Sequence, residues 1–156
     1  LSETQPALVF VLPLPPIEAS LNFRPASRGG RMAQNETVQQ YKAVCQAKIR
    51  KAISDAKRTG ALPEGRLVIH YSWYLGRKRA ATRAIRDRLC RPKDHDNAIG
   101  AAKPIQDAMQ GAGLLPKGDA AGRVRVGDVT LYGKAKDHGG LMQVMVVVMP
   151  DPEAIA

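Results

Sequence analysis

Asp94 and Asp96 stand one residue apart and are followed by Asn97, Lys103 and Asp107. Two carboxylates at that spacing, where an extended segment runs into a helix, can grip one divalent cation, because alternation turns both side chains to the same side of an extended backbone. Hard ions such as Mg²⁺ or Mn²⁺ take oxygen ligands of this kind and keep some of their waters. A cation so held lowers the pKa of a bound water and offsets charge building on a phosphodiester undergoing attack. The rest of the chain points to a polyanionic substrate. Its 156 residues carry 24 Lys plus Arg against 14 Asp plus Glu, a formal charge of +10. A field of that sign and size speeds the capture of phosphate backbones.

The same composition narrows the alternatives. The basic residues are spread over several segments rather than one amphipathic helix, which argues against a membrane-surface role. Residues 7–12 are apolar, but too short to span a bilayer, and they meet Pro13 at once. Cys45 and Cys90 are too few and too far apart for a zinc site or a disulfide framework, so reduced thiols and a cytoplasmic protein are expected. His70, in a strand, and His138, in a turn, have no metal-partner spacing, and His95 should turn away from the two aspartates.

Positioning these residues requires a scaffold, and the patterning predicts one small domain over 1–156 with its core at about 7–149. Residues 7–12 read as a strand buried on both faces. Residues 17–34 carry Asn22, Arg24, Arg28, Gly29, Gly30 and Arg31 without periodicity and read as a basic loop. Thr37 with Gln40 forms a capping box that should open a long helix. Its apolar stripe is Val38, Tyr41, Cys45, Ile49, Ala52, Ile53 and Ala56, ending at Gly60. Residues 66–75 read as a second strand, with Tyr71 and Trp73 on one face as core or dimer contacts. Asp96 or Asn97 should cap the next helical segment, which is either kinked at Pro104 or restarts there. Residues 123–132 and 141–149 read as two strands paired as a loose hairpin. The expectation is an α/β (α+β) domain of order β-α-β-α-β-β, with a mixed sheet of about four strands and two main helices.

One wider pattern combines these elements. Pro92-x-Asp94-x-Asp96-Asn97, Lys103 four residues before Asp107-Ala108-Met109, and Gly113 resemble the RusA family of Holliday-junction resolvases. So does the first strand running into Leu12-Pro13-Leu14-Pro15-Pro16 and a basic loop with an Asn. The likeness runs from about residue 8 to residue 149. It implies a homodimer that binds four-way DNA junctions and nicks two strands symmetrically with Mg²⁺ or Mn²⁺, with no organic cofactor and no membrane. Carried onto this chain, Asp94 and Asp96 are the paired metal ligands, Lys103 is the lysine that stabilises charge at the phosphate, and Asn97 orders the turn. Asp119 is the nearest match to the family's third carboxylate, with Asp128 as the alternative. Asn22, Arg24, Arg28, Arg31, Arg77, Lys78 and Arg79 form two clusters suited to phosphate contacts, which position DNA without reading it. The chain departs from the family in three places. Lys103 follows Asp96 by seven residues rather than four, the third acid stands alone, and residues 76–91 add basic sequence. A flap or other branched-DNA nuclease, or a binding protein with a decayed site, are the alternative readings.

Overall fold

The computed structural model describes residues 6–75, 89–115, 123–132 and 140–149. Four strands form one mixed sheet: β1 (Ala7–Pro13), β2 (Leu67–Tyr74), β3 (Val124–Tyr132) and β4 (Leu141–Val148). Helix α1 (Arg28–Thr59) follows β1, and α2 (His95–Ala101) and α3 (Lys103–Gly111) lie between β2 and β3. The architecture is the expected α+β domain with a mixed sheet, and its two helical arms pack on one face of that sheet. The strand order is β1-β4-β2-β3.

That order corrects the predicted hairpin. β3 and β4 do not pair; β3 runs parallel to β2, while β4 lies antiparallel to both β1 and β2. Composition supplies the reason. β4 is Leu-Met-Gln-Val-Met-Val-Val-Val, and burial rewards placing so apolar a strand in the middle of the sheet. β3 carries Arg125, Gly127, Asp128 and Thr130 and takes the edge. Because β1 and β2 both oppose β4, they run the same way without touching, and their C-terminal ends share one end of the sheet.

Two further expectations change. β1 is not buried on both faces: Leu8, Phe10 and Leu12 enter the core, but Val9 and Val11 remain exposed. The α1 helix starts at Arg28 rather than after Thr37, capped by the Ser27 hydroxyl, which accepts the Gly30 N–H at 3.0 Å. Its early turns expose their side chains, so no apolar period betrays them. Thr37 and Gln40 lie inside the helix, where Gln40 reaches back to Glu36. The far end is as expected: Gly60 adopts φ +67°, the left-handed conformation that closes a helix most cheaply in glycine.

Between sheet and helices lies one core, built on Ile69, Tyr71 and Trp73 of β2, Met142, Val144 and Val146 of β4, Ile49 of α1, and Ile105 and Met109 of α3. Tyr71 and Trp73 are thus core residues, although the Tyr71 hydroxyl and the Trp73 indole N–H are buried without a hydrogen-bond partner among the described residues. Each such orphan costs about 1–3 kcal/mol, which their large apolar surfaces offset. Tyr41 pins α1 to the end of β1 by donating its hydroxyl to the Pro13 carbonyl at 2.6 Å.

Beside Tyr41, burial pushes the Cys45 thiol from 9.0 up to about 11, against smaller lowering effects of Tyr41 and Lys48. Burial also raises Tyr41, Tyr71 and Cys90. An acid whose folded pKa is raised is held neutral by the fold, so its stabilisation is complete below the unfolded pKa and disappears as pH climbs through the folded one. For Cys45 that window is pH 9.0 to about 11, and its share is about 3 kcal/mol. Urea unfolding should therefore give a constant stability up to pH 8.5 and a steep loss above pH 9.0, a loss that Cys45→Val reduces. A stability that stays flat to pH 11 in the unaltered chain contradicts this account.

Candidate metal and nucleic-acid site

Past β1 the chain turns through Leu14-Pro15-Pro16 into a 3-10 turn (Ile17–Ala19). The Pro15 carbonyl accepts the Cys90 N–H at 2.8 Å, and Pro16 bridges Leu89. Proline cannot donate, so this pairing stops after a single bridge rather than growing into a strand. It nevertheless brings the segment Cys90–Asp94 to the C-terminal end of β1. Here Pro92 is buried and Lys93, Asp94, His95 and Asp96 are exposed.

Asp94, rather than Asp96 or Asn97, caps α2. Its backbone is extended, with φ −140° and ψ 169°. Its carboxylate accepts the Asn97 N–H at one oxygen and the Asn97 side-chain amide at the other, both at 2.9 Å. Asp96 occupies the first turn of the helix. The paired acids are thus related by a helix entry, not by strand alternation. A negative charge in this position gains from the exposed N–H groups of the first turn. Asn97 orders the turn, as its place in the motif implies.

The Asn22 amide reaches the Asn97 side-chain oxygen at 3.4 Å. A hydrogen-bonded chain, Asn22 to Asn97 to Asp94, therefore ties the loop after β1 to the paired acids. Leu21 reinforces it by packing on α2 where Gly100 leaves room: a Cβ there would meet Leu21 Cδ1 at 2.4 Å. Asp94 and Asn97, with Ser20, Asn22, Arg91 and Lys93, line a cleft of about 300 Å³.

Lys103 lies in the adjoining cleft. α2 ends at Ala102, which also starts α3, with Pro104 in its first turn, so the restart rather than the kink is realised. The Lys103 ammonium is 3.1 Å from the Asp107 carboxylate, whose other oxygen is 3.6 Å from Lys42 Nζ. Lys42 comes from α1 and has no sequence spacing that would announce it. The two clefts meet at Ser20, and Arg24 lines the second one, its guanidinium folded back on the Leu21 and Phe23 carbonyls.

Arg28 and Arg31 lie not in a loop but in the first turns of α1, exposed, and the first turn itself contains no acidic residue. Cations at that end of a helix cost about 0.3–1 kcal/mol each, a cost that a bound anion reverses. Asp128 stands elsewhere. It belongs to the edge strand, 91 % exposed, with a carboxylate oxygen 3.7 Å from His70 Nδ1. The Asp128 N–H donates to the same nitrogen at 2.9 Å. Asp119, Arg77, Lys78 and Arg79 lie outside the described residues.

Two exposed carboxylates with unused lone pairs fit an ion such as Mg²⁺, which commonly takes one or two protein carboxylates and completes its shell with water and phosphate oxygens. Among the described residues no cluster of three His, Cys, Asp or Glu side chains is close enough to hold a metal together. No helix among them is long and apolar enough to cross a membrane. No protein-family model matches the chain, and no curated protein matches it either.

Proposed function

We propose that this chain is a Mg²⁺- or Mn²⁺-dependent endodeoxyribonuclease of the RusA type, acting in the cytoplasm as a homodimer that resolves four-way DNA junctions by paired symmetric nicks. The observation that carries the reading is the Asn22–Asn97–Asp94 hydrogen-bonded chain, which couples the loop after β1 to the paired acids of a strongly basic protein. Asp94 and Asp96 would hold the ion. When bound, the ion supplies an activated water and neutralises charge on the departing oxygen. Asn97 fixes the carboxylate of Asp94, and Asn22 fixes Asn97. Arg28, Arg31, Arg91 and Lys93 attract the phosphate backbone around that point. Lys103 reaches the phosphate by leaving Asp107, which Lys42 continues to neutralise. A dimer with two equivalent sites suits a junction with two equivalent strands.

A second reading, junction binding without cleavage, is favoured by one observation: Lys103 is paired with Asp107 and follows Asp96 by seven residues. Incubation with a synthetic four-way junction and a linear duplex, with and without Mg²⁺, separates the two. Paired nicks confined to the junction and to Mg²⁺ support the nuclease; tight binding with no nick in the presence or absence of Mg²⁺ supports the second reading.

The basic segment 77–79 gives an independent check. Replacing Arg77, Lys78 and Arg79 together with Ala is expected to weaken binding equally for all junction sequences and to lower the log–log salt slope by roughly three units. An unchanged slope removes these residues from the interface.

A further inference from the structure

Among the described residues, the helices cover one face of the sheet. On the other, register places Ala7, Val9 and Val11 of β1 beside Val147, Met145 and Gln143 of β4. Those in turn lie beside Val68, His70 and Ser72 of β2. Leu141, Tyr74 and Tyr132 complete the row at the C-terminal end of β2, the two tyrosine rings stacked 4.9 Å apart at 8°. Val9 (46 %), Val11 (50 %), Met145 (37 %), Leu141 (36 %) and Tyr132 (44 %) are exposed. No described element packs over them. Contiguous apolar surface of this extent marks an interaction site rather than scattered exposure.

We infer that this outer sheet face is the interface on which a second copy of the chain docks, sheet against sheet. The inference deepens the homodimer of the functional proposal and rests on it for the choice of occupant. Area supports it. Four strands about 4.8 Å apart and about seven residues long give a footprint of roughly 20 by 23 Å. Its corrugated surface offers roughly 700–800 Å², close to the ~800 Å² that each partner contributes to a stable complex.

Charge supports it as well. In a chain of +10, the β1, β4 and β2 positions of this face carry no Lys, Arg, Asp or Glu. Nucleic acid is therefore poorly served here, and two like-charged copies can meet without opposing their cations. The charged residues Arg125 and Asp128 sit on β3, at one margin. Between Val11, Tyr74, Leu141 and Gln143 lies a cleft of about 240 Å³, a volume that can take an apolar side chain of the facing copy. Aligned sheets pack in this way, with inner side chains interdigitating over about 10 Å. The arrangement also leaves the paired acids clear, because they sit at the end of the sheet and not on this face.

Sedimentation equilibrium of the full chain at micromolar concentration tests the proposal. The unaltered protein should be a dimer. Val11→Lys and Met145→Lys, on two different strands, should each raise the dissociation constant roughly 100-fold or more while leaving the far-ultraviolet circular dichroism unchanged. Asn35→Lys on exposed α1 should leave the mass a dimer's. A monomeric unaltered protein, including one that instead binds phospholipid vesicles, overturns the proposal. So does a dimer that survives both substitutions. Cleavage assays keep the two readings apart: a dimer broken by Val11→Lys that never cuts a junction sustains the interface and removes the nuclease, whereas a monomer that cuts does the reverse.

Discussion

Asp96→Asn is expected to abolish junction cleavage and to leave junction binding as strong as before, or stronger. The substitution removes a proposed metal ligand and one negative charge, in a side chain that is exposed and has no hydrogen-bond partner among the described residues. The fold loses only the favourable placement of an acid in the first helical turn, about 0.3–1 kcal/mol. The chemistry loses far more: about 5 kcal/mol of barrier reduction is roughly four orders of magnitude in rate. Asp94 refines the test because it has two duties. Asn caps a helix about as well as Asp, so Asp94→Asn should keep α2 intact and still stop cleavage. Asp94→Ala should stop cleavage and also cost about 1–2 kcal/mol, since it frees the Asn97 N–H and the side-chain amide that Asp94 now holds. Single-turnover cleavage beside a binding titration, with urea unfolding for each variant, gives all three quantities. Ordinary cleavage by Asp96→Asn would remove the paired acids from the mechanism.

The second large effect is structural and falls on the edge strand. Ile69 pairs with Val126 and Tyr71 with Val129, so His70 alone faces Gly127 and Asp128, and β3 carries a bulge. The His70 ring fills the space where a side chain at 127 would go: a Cβ there would lie 2.5 Å from His70 Cε1 and 2.7 Å from Val68 Cγ1. Gly127→Ala must displace the ring and break its bond to the Asp128 N–H. The expected cost is about 2 kcal/mol, or a fall in Tm of roughly 4–8 °C for a chain of this size. In a His70→Ala background the same change should cost clearly less, because only the Val68 contact remains, and the difference is the coupling between the two residues. A Gly127→Ala protein with the stability of the parent would show that the bulge relaxes freely.

Local signals carried much of this architecture. The limits of β2, the stop of α1 at Gly60, a break near Pro104 and the presence of acids at a helix entry all follow from periodicity, φ preferences and capping within a few residues. Where a local signal was weak, the reading slipped. The first turns of α1 are exposed and polar and look like loop, and an apolar β1 reads as doubly buried although one face is open.

What the sequence by itself determined, then, is which segments form strands and helices, the charge that favours a polyanion, and the position of Asp94 and Asp96 at a helix start. The tertiary structure alone decided that β4 enters the sheet between β1 and β2, since several strand orders bury the same residues and only the competition among whole strands for the centre chooses one. It alone joined Asn22 to Asn97 across 75 residues and brought Lys42 to the Asp107 that Lys103 holds. Contacts of that kind depend on where helices and loops dock, and no fixed spacing along the chain encodes them.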